Sequence, residues 1–171
     1  MAGRGPQAGE AASRHRVEGA RILIIDAPYY EAISTALLEG AVAELQVAGA
    51  SWERVAVPGA LELPLALAQA VKAQLLPGDA KHARFDGCVV LGCVIRGETS
   101  HYDTVCNNAN HWLMDIAARH AIPLGNAILT VETQAQALER AEGGRKGKGA
   151  DAARACLALI GHARTMSRTQ A

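Results

Sequence analysis

The sequence predicts an α/β fold: a three-layer sandwich on a four-stranded parallel sheet. Three observations carry that expectation. Four short β-like runs alternate with helical stretches along the chain, an order that demands crossovers on both faces of one sheet. Three of those runs are continuously apolar, as strands covered on both faces are. Finally, half of the 171 residues are hydrophobic, yet only two Trp, three Tyr and one Phe occur. The core must therefore be built from Ala, Leu, Val and Ile.

The elements follow in order. Residues 1–20 are rich in Gly, Ala and Arg without apolar periodicity, and read as a flexible N-terminal arm. A single domain is expected over 21–171. Ile22–Ile25 is the first strand. Residues 31–48 carry Ile33, Leu37, Leu38, Val42 and Leu45 at helical spacing and end at Gly49, which suits a helix stop. Val55–Val57 is a short second strand. A helix over 62–75 tolerates Pro64 in its first turn and stops at Pro77-Gly78. Residues 77–86 are a polar loop. Cys88–Ile95 is the third strand, 103–120 a helix ending before Pro123, and Ala127–Val131 the fourth strand. Thr133 suits the cap of a short helix over 134–142. A Gly/Lys turn leads to a last helix over 150–165. No internal repeat is present.

Composition excludes several functions. Seventeen basic and seventeen acidic residues balance to zero net charge, against general nucleic-acid binding. No apolar run approaches the roughly 20 residues of a membrane span. A chain this long buries about 70% of its unfolded surface and needs no disulfide or metal to hold a core. Cys88, Cys93, Cys106 and Cys156 show neither a CxxC nor zinc-ligand spacing; buried reduced thiols in a cytoplasmic protein are expected. The N-terminus lacks the apolar stretch of a signal peptide, and Glu10, Glu18 and the single Ser13 suit a transit peptide poorly.

In parallel sheets ligands bind beyond the carboxyl ends of the strands. That rule points to 26–31, 58–62, 96–103 and the segment around Val131. Arg96-Gly97-Glu98-Thr99-Ser100-His101-Tyr102-Asp103 follows a buried strand and opens a helix. Gly97 relaxes a tight turn, Thr99 and Ser100 offer hydroxyls, and a helix start offers free N–H groups, which together suit a phosphate. His101 sits at the same junction; histidine as a residue type suits proton transfer near neutral pH, so it could move protons beside the phosphate, or be an ordinary surface residue of a helix start. In Pro58-Gly59-Ala60-Leu61-Glu62, Glu62 could accept hydrogen bonds from sugar hydroxyls, or simply favour a helix N-terminus. Tyr29-Tyr30 could stack on a planar ring or pack over the sheet end. Arg140 and Arg145-Lys146-Gly147-Lys148-Gly149 form the one dense basic region. This is no P-loop, because Glu142 stands where its first Gly belongs and Gly149 replaces the Ser/Thr. An anion site and a solvated turn are both open for it.

Taken together, these segments resemble the 6,7-dimethyl-8-ribityllumazine synthase family of riboflavin biosynthesis, over about residues 21–165. The motifs are Val57-Pro58-Gly59-Ala60-Leu61-Glu62-Leu63-Pro64, the specific Leu91-Gly92-Cys93-Val94-Ile95-Arg96-Gly97-Glu98-Thr99-Ser100-His101-Tyr102-Asp103, Leu129–Thr133 with Gln136–Arg140, and the Lys148-Gly149 step. The resemblance implies a flavodoxin-like fold and the condensation of 5-amino-6-(D-ribitylamino)uracil with 3,4-dihydroxy-2-butanone 4-phosphate, releasing phosphate and water, without metal or organic cofactor. It assigns proton transfer to His101 and ring stacking to Tyr29. Ala60, Leu61 and Glu62 would hold the ribityl side, and Val94 and Ile95 would present backbone groups to the pyrimidine edge. Gly97, Glu98, Thr99 and Arg140 would bind the phosphate, while Asn126 and Lys148 would reach the pyrimidine. It further implies that Asn126, Arg140 and Lys148 come from a neighbouring subunit of a homopentamer, with packing into a 60-subunit shell left open.

Two departures stand out. Pro28-Tyr29 replaces the usual Arg-Phe type of pair, and Gly-Gly-Arg-Lys-Gly-Lys-Gly over 143–149 replaces the common Gly-Asn-Lys-Gly turn. Lys146 and Lys148 are thus both candidates for the ligand. The competing expectation is a paralogue that binds a flavin or lumazine, or forms a shell, with little turnover. A generic FMN-binding flavodoxin-like protein fits less well with so few aromatics.

Overall fold

Four parallel strands, β1 (Arg21–Asp26), β2 (Ser51–Ala56), β3 (Gly87–Ile95) and β4 (Leu124–Val131), pair in the order β2-β1-β3-β4. The computed structural model describes residues 17–78 and 80–168. Between the strands run α1 (Glu31–Val47), α2 (Glu62–Lys72), α3 (His101–Arg119) and α4 (Gln134–Ala141). A 3₁₀ turn over Gly144–Lys146 then leads to α5 (Lys148–Arg168).

Side chains alternate across each strand, so the sheet carries two separate cores. On one face Ile22, Ile24, Val89, Leu91 and Leu129 meet Ile33, Leu37 and Leu45 of α1, Ala137 and Ala141 of α4, and Ala153, Cys156 and Ile160 of α5. On the other, Leu23, Ile25 and Val90 meet Leu63 and Leu67 of α2 and Leu113 and Ala117 of α3. The result is the expected flavodoxin-like αβα sandwich, with three helices on one face and two on the other.

Small residues let the layers approach closely. A methyl group on Gly149 would overlap the Leu37 carbonyl of α1, and one on Gly125 would overlap the Ala152 carbonyl of α5. The first turn of α5 is thereby seated backbone-to-backbone on its neighbours.

The structure corrects several boundaries. β2 begins at Ser51 rather than Val55. As an edge strand exposed along most of its length, it accepts Ser51, Glu53 and Arg54 in the ladder; charges on an edge also discourage further strand pairing. β4 is not covered on both faces: Asn126 and Thr130 are exposed, because it forms the opposite edge. α2 stops at Lys72, because Gln74 turns left-handed (φ 58°) and the Leu75 amide reaches back to the Ala70 carbonyl at 3.0 Å. Such a left-handed residue closes a helix. α5 starts at Lys148, which is therefore helical. Residues 1–16 of the expected arm lie outside the described residues. Its last residues pack into the body: Val17 and Ala20 are buried, and the Gly19 amide donates to the Gly49 carbonyl. Thr133 caps α4 as expected, its hydroxyl accepting from the Gln136 amide at 3.2 Å.

Candidate active site

Strand lengths open the site. β3 has nine residues and β1 six, and their pairing ends at Asp26↔Leu91. One more bond, from the Ala27 amide to the Leu91 carbonyl, closes the ladder. Beyond it β3 continues to Ile95 paired only to β4. There Cys93, Val94 and Ile95 line a cleft of about 340 Å³.

The loops after β1, β2 and β3 wall this cleft. After β1, the Tyr29 amide bonds back to the Ala27 carbonyl at 2.8 Å, which turns Tyr29 and Tyr30 over the sheet end. Their rings meet edge to face, centroids 5.0 Å apart. Tyr29 is 72% exposed, so a broad ring face is open to a ligand. Tyr30 sits deeper. Burial, then Cys93 and then Tyr29, push its phenol above the ordinary tyrosine range, against a backbone hydrogen bond at Ile95. After β2, the Glu62 amide bonds to the Gly59 carbonyl and starts α2, and a methyl on Gly59 would stand 3.1 Å from the Glu62 carboxylate. After β3, the His101 amide donates to the Thr99 hydroxyl at 3.4 Å as α3 begins.

Nine residues expected in the site line this one cleft: Tyr29, Ala60, Leu61, Glu62, Val94, Ile95, Gly97, Thr99 and His101. Tyr30, Gly59, Cys93, Tyr102 and Val105 line it as well. The alternation of β3 could have signalled Cys93, two residues before Ile95. Nothing in the sequence separated Tyr30 from Tyr29, or Tyr102 from the helix it starts.

Four expected residues are not in the lining. Glu98 is exposed on the same loop. Asn126, on β4, donates from Nδ2 to Asn110 Oδ1 at 2.8 Å and accepts from the Ile128 amide at 2.9 Å. Arg140 is exposed in the last turn of α4, and its Nη1 donates to the Gln136 carbonyl at 3.0 Å. Lys148 pairs with Asp151 at 2.9 Å. Burial alone would raise the Asp151 carboxyl, but Lys148 and Arg154 outweigh it and hold it below the usual carboxylate range.

The basic turn is tied down by a network. Arg145 and Arg154 both meet the largely buried Glu44 of α1, at 2.9 and 2.8 Å, and Arg154 also meets Asp151 at 2.7 Å. Arg145 is thus spent on Glu44.

Chemically, the cleft holds one imidazole, one carboxylate, an exposed aromatic ring, the end of β3 and a hydroxyl-bearing loop. It holds no Lys or Arg. Among the described residues, no group of His, Cys, Asp and Glu is arranged to hold a metal ion.

Comparison with known proteins gives the family. Residues 19–164 match the family model for 6,7-dimethyl-8-ribityllumazine synthase. A protein of that name from Azorhizobium caulinodans is 48% identical over 150 residues, covering 88% of this chain and 90% of its own. One from Methylocella silvestris is 52% identical over 143 residues, covering 82% and 84%. A Rhodopseudomonas palustris protein named 6,7-dimethyl-8-ribityllumazine synthase 1 is 48% identical over 144 residues, covering 84% and 86%. The chain belongs to the 6,7-dimethyl-8-ribityllumazine synthase family.

Proposed function

We propose that this chain joins 5-amino-6-(D-ribitylamino)uracil to 3,4-dihydroxy-2-butanone 4-phosphate, giving 6,7-dimethyl-8-ribityllumazine, phosphate and water. The observation that carries the reading is the meeting of His101, Glu62, Tyr29 and the Gly97–Thr99 loop around one cleft. Tyr29 stacks on the pyrimidine, and Val94 and Ile95 present backbone groups to its edge. Ala60, Leu61 and Glu62 hold the ribityl chain. Gly97, Glu98 and Thr99 receive the phosphate. The amine attacks the ketone, and His101 relays the protons that let water leave as the imine forms. Elimination then breaks the C–O bond to phosphate and leaves an enol that tautomerises to a new carbonyl; the ribityl-bearing nitrogen adds to that carbonyl, and a second water leaves as the ring closes. Each step needs protons moved, which is worth about 10²–10⁴-fold when the acid–base group is positioned. Holding two substrates together supplies the rest.

The site is completed by a second copy. A phosphate is strongly anionic, and the cleft lining offers it no cation. Asn126, Arg140 and Lys148 are exposed on β4, α4 and α5 respectively, where an adjoining subunit's cleft could meet them. The assembly proposed is a homopentamer with its sites at subunit interfaces, built from a single domain that begins before Arg21. Placement in the cytoplasm is supported by four free, buried thiols. No described helix is long and apolar enough to cross a membrane.

Purified protein given both substrates should form a product with lumazine absorbance and release phosphate. Folded protein that forms none would overturn the reading. Tight flavin binding without turnover would instead indicate a binding paralogue. Light scattering distinguishes monomer, pentamer and shell.

A further inference from the structure

Arg96 does not line the cleft, yet it touches both sides of the turn that carries His101. It follows β3, and its amide donates to the Val131 carbonyl of β4 at 2.9 Å. Its Nε lies 2.9 Å from Glu132, just beyond β4. Its Nη1 and Nη2 reach the two oxygens of Asp103 at 3.3 Å each. Its guanidinium carbon stands 4.0 Å from the centroid of the Tyr102 ring. Tyr102 and Asp103 are the two residues that follow His101, within the first turn of α3.

We propose that Arg96 is the positioning residue for His101, clamping the first turn of α3 to the ends of β3 and β4. The inference rests on the proton-transfer reading of His101 given above. The chemistry of the contacts favours a clamp over direct substrate binding. All three guanidinium nitrogens are already directed at two carboxylates, so the group is neutralised on the spot and is not the phosphate's counter-charge. The pairs are part-exposed, with 38% of the Arg96 side chain accessible. Such pairs add little to stability. A planar fork that stacks on a ring while engaging two carboxylates instead fixes direction, which a lysine cannot reproduce. Direction matters at this place, because misplacing a catalytic group by about 1 Å can cost about 10²-fold in rate.

The test compares Arg96→Ala in two backgrounds, the native chain and His101→Ala, using purified full-length protein and both substrates. In the native background kcat should fall about 10- to 100-fold, with both KM values within about three-fold. In the His101→Ala background the same change should alter kcat by less than about two-fold, because a clamp without its histidine has nothing to position. Arg96→Lys should behave like Arg96→Ala. Should Arg96→Ala fail to fold, the pair Asp103→Ala with Glu132→Ala removes both carboxylate ties and should show the same dependence on His101. Equal losses in both backgrounds, full activity of Arg96→Lys, or a loss confined to the KM of the phosphate substrate would each overturn the proposal. A native protein that makes no lumazine defeats the function itself. An active native protein with fast Arg96 variants defeats only the clamp.

Discussion

The Asp26 carboxylate, fully buried at the end of β1, is held by Arg54 of the edge strand β2, with Nε at 3.0 Å. Ser34 of α1 donates to the same carboxylate at 3.0 Å, and its amide in turn bonds to the Tyr30 carbonyl at 2.9 Å. One buried charge therefore links the edge strand, the sheet and the loop that carries the two tyrosines. Removing one partner of a buried pair costs about 3–5 kcal/mol. Arg54 is 42% exposed and Ser34 remains as a donor, so Arg54→Ala should cost about 2 kcal/mol. Guanidinium denaturation at fixed protein concentration would show it as a lower midpoint with unchanged slope. An apolar pair, Asp26→Leu with Arg54→Met, should recover most of the loss, since no charge is then left unpaired. A midpoint unmoved by Arg54→Ala would show that water takes over the arginine's role.

His101→Ala should lower kcat by about 10²- to 10³-fold and leave binding of a pyrimidine analogue nearly intact. The histidine lines the same cleft as Thr99 and Tyr29. In the proposed reaction it moves protons and takes no part in ring recognition. Steady-state turnover and calorimetric titration of the analogue separate the two. Lost binding with unchanged turnover would reverse the assignment.

Tyr29→Ala should act in the opposite way. Stacking of a base on an aromatic side chain contributes about 1–3 kcal/mol, so the pyrimidine KM should rise roughly 5- to 100-fold while kcat changes little. Tyr29→Phe keeps the ring and should be near neutral. A Phe variant as weak as the Ala variant would mean that the hydroxyl, and not the ring face, makes the contact.

The sequence disclosed what depends on local pattern. The apolar runs of β1 and β3 and the loop 96–103 are legible because burial on both faces and strand-to-helix junctions leave continuous signatures. β2 was half hidden, since Ser51, Glu53 and Arg54 follow the rules of an exposed edge, and the strand order was not in the pattern. The buried Asp26 could not be read either, because its partners lie 8 and 28 positions away. The strand-end rule pointed to the loops of Tyr29, Glu62 and His101, and motif resemblance added Val94 and the residues' roles. Their actual meeting depends on β3 outrunning β1, a relation between strands that no single segment encodes.

The thiols give a prediction with a definite pH direction. Burial pushes Cys156 up to about 12 and Cys93 up to about 11, and it raises Cys88 and Cys106 as well. At pH 8 a thiol at about 12 is roughly 10⁻⁴ thiolate, and the thiolate is the reactive form. A chromogenic aromatic disulfide should therefore label native protein at pH 8 far below one equivalent over minutes, and all four cysteines in denaturant. The same shift governs stability. Unfolded cysteine titrates near 8.5, so between about 8.5 and 12 the folded state holds the Cys156 proton and the unfolded state releases it. The stabilisation is fully present below about 8.5 and is lost as pH rises through 12, at up to about 1.4 kcal/mol per pH unit for one such group. The denaturation midpoint should accordingly be flat near neutrality and fall above pH 9. Cys156→Ala lowers the whole curve by leaving a small cavity, but it should also flatten the alkaline decline. An alkaline slope identical in the variant would show that Cys156 does not keep its proton in the folded core.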